Sequence, residues 1–239
     1  MKISVVVIAH NEEQNIDACL CSLLAQSVRA DEIVLINHNS TDRTAEIAQK
    51  HPVRVVELHG QSGSVHARIR GLQEVSGDIV LCIDGDSIAS HNWVEVLSNL
   101  LQKDRMVMVG SWVRMSGTLL ARIAGWRWYV VAPSKNFRAT DYLFGASLGL
   151  WGRDKDYSIR ALKAGDRLSN ELGLGYNPDD YWLALFMSKK GNLEVTNKTF
   201  VTARAKEVSS KRFVTRSIAA SGGRRRILDF MKKKNLPKL

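Results

Sequence analysis

The 239-residue chain has only three cysteines, Cys19, Cys21 and Cys82. The number is odd and no CxxC pair occurs. A disulfide framework is therefore excluded, and the expected setting is reducing and cytosolic. Cys19 and Cys21 fall in a helical pattern and read as packing and surface. No apolar run approaches the ~18 residues that a membrane-spanning helix needs. The apolar start ISVVVIA runs into HNEE without a small-residue cleavage site, so it reads as a first strand and not as a signal peptide. No GxGxxG follows that strand and no GxxxxGK[ST] occurs anywhere, which disfavours a dinucleotide-binding site and a P-loop. Internal repeats and low-complexity segments are also absent.

Net charge is missing from most of the chain. The net charge is +10, from 34 basic and 24 acidic residues. From Arg204 to Leu239 there are 12 Lys/Arg and 2 Asp/Glu, again +10, so the first 203 residues balance at 22 against 22. Basicity belongs to a C-terminal tail, 206–239, set apart from a body at 1–205. In that tail RRRILDFMKKK alternates basic clusters with Ile227, Leu228, Phe230 and Met231. Such a segment suits an anionic membrane surface, at about 1 kcal/mol per basic residue, or is simply solvated. A nucleic-acid-binding or interaction role for the tail is an alternative. The neutral body and the lack of a base-reading motif make nucleic acid the less favoured partner.

What the body does contain is alternation. ISVVVIA, EIVLIN, VRVVEL and DIVLCID are short, Val/Ile-rich runs of the kind buried on both faces of a parallel sheet. Between them, EQNIDACLCSLLAQS puts Ile16, Cys19, Leu20, Leu23 and Leu24 on one helix face. NSTDRTAEIAQK opens with good helix-capping residues, and GSVHARIRGLQEV reads as a third helix. This order predicts an α/β fold, a mostly parallel doubly wound sheet with helices on both faces. Further on, HNWVEVLSNLLQK reads as a helix and MVMVGSWV as a strand. GASLGLWG is Gly-rich, and NPDDYWLALFMSKKG reads as a helix begun near Pro178. The segment SGTLLARIAGWRWYVVAP, 116–133, mixes Arg with Trp and Tyr. It reads equally as a core helix with exposed arginines or as an amphipathic surface for a membrane or lipid-linked acceptor.

Three strands end in polar residues, AHNE, NHNSTD and DGDS, and a doubly wound sheet gathers such ends at one edge, where ligands bind. LCIDGDS, at 81–87, ends an apolar run on two carboxylates. Residues i and i+2 of a strand share a side, so Asp84 and Asp86 can present both carboxylates to a hard divalent cation, with Gly85 leaving the backbone open. Alone, the motif reads as readily as a solvated turn. An EF-hand is disfavoured because Ile88 and Ala89 occupy loop positions 5 and 6 and a strand precedes the loop.

Taken in order, SVVVIAHNEEQNI, EIVLINHNSTDRT, GSVHARIRGLQEVSGDIVLCIDGDS and NPDDYWLALFMSKKG resemble family 2 glycosyltransferases of the GT-A fold, over roughly residues 3–195. The resemblance implies an inverting transfer of a sugar from a nucleotide-sugar donor to a glycan or lipid-linked acceptor. It implies that Ala9, Asn11, Glu12 and Asn37 cradle the base and ribose, with Arg68 near the base or diphosphate. Asp84 would face the nucleotide, and Asp86 would hold Mg²⁺ or Mn²⁺. In the acidic pair Asp179–Asp180, the second member, Asp180, would be the general base. It divides the body into a sugar-nucleotide half, 1–112, and an acceptor half, 113–205. The expected location is cytosolic, with docking on the inner membrane face through the tail left open. The chain departs from the family where strand two ends: an acid is usual there and this chain has Asn37–His38. All six histidines lie at or before His91, so a late histidine near the metal has no counterpart. The first acid of the pair is Asp179 where Glu is usual. A nucleotidyltransferase on a similar sheet is a further alternative, but HNEEQN is not its Gly-rich phosphate loop.

Overall fold

In the computed structural model of the chain, the described residues are 1–60, 63–116, 146–174, 177–204, 226–227, 229–230 and 239. The Trp/Arg segment beyond Ser116 and most of the 206–239 tail lie outside them.

Eight strands form one sheet in the order β3-β2-β1-β4-β7-β6-β8-β5. They are β1 (Ile3–Ala9), β2 (Glu32–His38), β3 (Arg54–Leu58), β4 (Ile79–Asp84), β5 (Ser87–Ala89), β6 (Met106–Ser116), β7 (Ser147–Trp151) and β8 (Asn192–Arg204). The first four pair in parallel, as their apolar runs predict. The sheet then turns mixed: β7 is antiparallel to both β4 and β6, β8 runs parallel to β6, and β5 is antiparallel to β8.

Helices α1 (Ile16–Leu24), α2 (Thr44–Ala48), α3 (Ser64–Glu74), α4 (Trp93–Leu101), α5 (Lys155–Glu171) and α6 (Asp179–Met187) cover both faces. The two-residue period of the strands sorts their side chains into two cores. Val5, Val7, Leu35 and Leu81 pack toward α1 and α4. Val6, Ile8, Val34, Ile36, Val80 and Cys82 pack toward α3, α5 and α6. The second core also takes in Ile227 of the tail, fully buried, with Phe230 packed against it. Ile227 therefore packs in the domain core, where the tail's pattern had left it either to an anionic membrane surface or to solvent.

The α5–α6 contact fixes where the acidic pair stands. α6 is buried nearly all round, from Asp179 to Met187 with only Asp180 half-exposed, which suits a helix enclosed by its neighbours. α5 approaches it through Gly165, where an added Cβ would lie 2.5 Å from Trp182 Cβ and 2.6 Å from its Cγ. Gly165→Ala is expected to lower stability by about 1–3 kcal/mol through overpacking, read as a drop in urea midpoint. An unchanged midpoint would mean that the two helices separate freely.

Candidate functional site

The carboxyl ends of β1, β2 and β4 lie side by side: Ile8 is level with Asp84, and Ala9 with Asn37. Asp84 is the last residue of β4, while Gly85 and Asp86 form a tight turn into β5. The turn is pinned to the end of β1, since Gly85 N–H donates to the Ile8 carbonyl at 2.8 Å. A Cβ at position 85 would lie 3.0 Å from Ala9 Cβ and 3.3 Å from Ile16 Cδ1, so the turn packs this closely only with glycine. From below, Cys19 of α1 donates its thiol to the Asp84 carbonyl at 3.7 Å.

Beside the turn opens a pocket of about 340 Å³, lined by Ile8, Ala9, His10, Glu12, His38, Asn39, Gly63, Ser64, Ala67, Asp84, Gly85 and Asp86. Three carboxylates face it, and no lysine or arginine does among the described residues. Anionic ligands alone would be repelled. The field is also felt at Cys19, whose thiol is pushed well up by burial and then by the charges of Asp86, Asp84 and Glu12.

Asp84 is the most perturbed acid here. Burial pushes its carboxyl up to about 7; the Arg68 charge pulls back, while Asp86, Asp179 and Asp180 add to the rise. Its Oδ1 is buried and has no hydrogen-bond partner, which is costly for a polar atom. A hard cation between the carboxylates of Asp84 and Asp86 would satisfy that oxygen and relieve the repulsion. The oxygen-only donor set suits Mg²⁺ or Mn²⁺.

Arg68 and Asp179 stand elsewhere than in the pocket wall. Arg68 Nε donates to Asp179 Oδ2 at 2.9 Å, and the two side chains are 2% and 9% exposed. This is a buried ion pair joining α3 to α6. Burial pulls the guanidinium pKa down, but the charges of Asp179 and Asp84 outweigh it and the net shift is upward. Arg68 therefore sits behind Asp84, and Asp179 is committed to holding it. Ser64, at the start of α3 and on the pocket lining, also donates to Asp179 Oδ1 at 3.4 Å. Asp180 is half-exposed and accepts the Tyr181 N–H at Oδ1, 2.8 Å. Breaking a buried pair leaves an uncompensated charge. Arg68→Met is therefore expected to cost about 3–5 kcal/mol in urea unfolding, with much of it restored when Asp179→Leu is added. A single variant as stable as the wild type would refute the pairing.

The remaining residues singled out from the sequence divide. Ala9 and Glu12 line the pocket. Glu12 is buried, with Oε2 accepting from Asn15 Nδ2 at 2.7 Å and its N–H donating to Thr44 Oγ1 at 2.8 Å. Asn11 is exposed and spends its side chain on the neighbouring loop: its φ is +54°, its Oδ1 accepts the Thr41 N–H at 2.8 Å, and its own N–H donates to Ser40 Oγ. Asn37 is buried outside the lining. Its Nδ2 donates to Glu57 Oε2 at 2.8 Å, and its Oδ1 is buried without a partner. Glu57, Gly63 and Ser64 escaped the sequence reading as site residues. The only available signal for Glu57 was a lone acid inside the apolar run VRVVEL.

Residues 4–158 match the family described as Glycosyl transferase family 2. Among curated proteins, glycosyltransferase GlyG of Streptococcus pneumoniae is 31% identical over 116 residues, 46% of this chain and 38% of that protein. The dolichol-phosphate mannosyltransferase of Pyrococcus furiosus is 30% identical over 141 residues, 56% of this chain and 39% of that protein. The chain thus spans about two fifths of the length of these relatives. Among solved structures, Staphylococcus aureus TarS 1–349 with UDP-GlcNAc superposes with a TM-score of 0.62 at 18% identity, covering 87% of this chain and 60% of that one. Glucosyl-3-phosphoglycerate synthase of Mycobacterium tuberculosis, in complex with Mn²⁺, UDP and phosphoglyceric acid, gives 0.58 at 21% identity, covering 99% of this chain and 80% of that one. At such identities the superpositions establish the GT-A fold.

Proposed function

We propose, on the premise that the chain belongs to glycosyl transferase family 2, that it transfers a sugar from a nucleoside-diphosphate donor to an acceptor hydroxyl with inversion. The observation that carries this reading is the buried, unpartnered Asp84 Oδ1 beside a pocket lined with three carboxylates. Asp86 would hold Mg²⁺ or Mn²⁺, with Asp84 beside it facing the nucleotide. When bound, such an ion stabilises the charge that builds on the departing diphosphate.

The chain's own residues supply the rest. Ala9 and Glu12 would receive the nucleoside end of the donor at the carboxyl end of β1. Asn37, with its amide nitrogen engaged by Glu57, has a carbonyl oxygen without a partner that would accept a base N–H, where the family usually has an acid. Uridine is the base this reading favours, supported by the UDP carried by two of the structural relatives. Arg68 would act from behind Asp84, holding the wall of the site in place through Asp179. Asp180, at the first turn of α6, would take the proton from the acceptor hydroxyl. Residues 1–112 would serve as the donor half and 113–205 as the acceptor half. The acceptor would be a glycan or a lipid-linked glycan.

The test is release of nucleoside diphosphate from a panel of UDP-, GDP- and dTDP-sugars, with and without Mn²⁺. Release from UDP-sugars that needs the cation is expected. A chain that binds and turns over none of them, with or without metal, is not this enzyme.

A further inference from the structure

Asp17, Cys21 and His51 converge on the surface of the α1 side, away from the pocket lining, and each offers one ligand atom within 4.8 Å of the others. We infer that these three side chains form a second metal site, selective for a soft or borderline transition ion such as Zn²⁺.

The local structure brings them together without strain. Asp17 and Cys21 are four residues apart on α1, so they stand one turn above the other on the same helix face. That face is opposite the buried stripe of Ile16, Cys19, Leu20 and Leu23. His51 comes from the segment just after α2, which packs on α1. Its backbone N–H donates to the Ala48 carbonyl at 3.1 Å, and its carbonyl accepts the Val53 N–H at 2.8 Å. The His51 ring is 14% exposed and already meets Asp17 Oδ1 through Nε2 at 2.9 Å. The imidazole is positioned by its largely buried ring, and the exposed Asp17 carboxylate would exchange its hydrogen bond with Nε2 for a shared ion.

The donor set decides the ion. A thiolate, an imidazole and a carboxylate are the ligands Zn²⁺ takes in sites that keep a fourth position for water. Mg²⁺ and Ca²⁺ avoid sulfur and prefer all-oxygen cages, so this site and the Asp84–Asp86 turn would sort different cations. Zinc–sulfur and zinc–nitrogen bond lengths place tetrahedral ligands roughly 3.5 Å apart, so the wider separations, up to 4.8 Å, have to contract by about 1 Å while the 2.9 Å Asp17–His51 contact opens. The exposed Asp17 and Cys21 side chains can supply that movement by rotamer changes. Binding would release the thiol proton and tie α1 to the end of α2. α1 also carries Cys19 and Ile16 against the Asp84–Gly85 turn, so the ion would brace the floor of the pocket.

The test uses the reduced full chain titrated with Co²⁺, a spectroscopic stand-in for Zn²⁺. Of the three cysteines only Cys21 is exposed, so a thiolate-to-cobalt charge-transfer band reports on it. The band should saturate at one Co²⁺ per chain and be displaced by Zn²⁺. It should vanish in Cys21→Ser. In His51→Ala the affinity should fall at least about 10-fold, the scale set by losing even an outer partner of a metal ligand. Zn²⁺ should also raise the melting temperature of the wild type and leave that of Cys21→Ser unchanged. Circular dichroism confirms that both variants fold. Absence of the band in the wild type, or its persistence in Cys21→Ser, overturns the site.

Discussion

Asp86→Ala will lower turnover of the nucleotide-sugar donor by about 10³-fold while leaving the fold intact. A bound cation contributes several kcal/mol to stabilising a departing phosphate oxygen, and each 1.36 kcal/mol of barrier is tenfold in rate. Asp86 lies on the turn after β4, half-exposed, where its Oδ1 accepts a hydrogen bond from Ser87 Oγ at 3.2 Å. Asp86 is half-exposed, so the melting temperature should hardly move. Its removal also takes away one of the charges that push Asp84 upward. Turnover at saturating Mn²⁺, measured beside thermal unfolding, separates the two effects. A variant that keeps the wild-type rate and metal dependence would show that the cation sits elsewhere.

Asp180→Asn will reduce kcat with a hydroxyl acceptor by about 10²–10⁴-fold, the range for loss of a positioned general base, with donor affinity unchanged. Asp180 stands in the first turn of α6, where the helix dipole favours a carboxylate. It is half-exposed, whereas its neighbour Asp179 is buried against Arg68. The two acids therefore part company in experiment. Asp179→Asn should lose stability by breaking the ion pair, and Asp180→Asn should lose rate without losing stability. If Asp180→Asn turns over like the wild type, the base is another group, or the acceptor is a phosphate that needs none.

The parallel front of the sheet was legible because β1, β2 and β4 are continuous apolar runs, and continuous burial on both faces is what such runs signify. The back was not. α5 hides behind Lys155, Asp156, Arg160, Lys163, Asp166 and Arg167, and its buried stripe relies on Ser158, Ala161, Gly165 and Ser169 beside Leu162 and Leu168. Small residues pack closely but carry little hydropathy signal. β8 reads as polar because many of its side chains are half-exposed, and its register against β6 shifts between Ser111 and Trp112. Within the site, DGDS gave away its two acids, but spacing along one strand suggested that they are equivalent. The structure makes Asp84 the end of a strand, with its Oδ1 buried, and Asp86 a turn residue, since β4 stops at Asp84. The Arg68–Asp179 pair spans 111 residues, and no local pattern encodes a contact of that range. The same holds for Asn37 and Glu57, which meet only because β2 and β3 are in register.

The most direct test of the donor site is calorimetric binding of UDP to the wild-type chain with and without Mn²⁺. Three carboxylates facing a pocket that no lysine or arginine lines, among the described residues, predict weak binding of the anionic diphosphate alone. Binding should tighten at least about 10-fold, or 1.4 kcal/mol, when the cation is present. Equal affinity in both conditions would contradict the placement of a metal-bridged diphosphate beside Asp84 and Asp86.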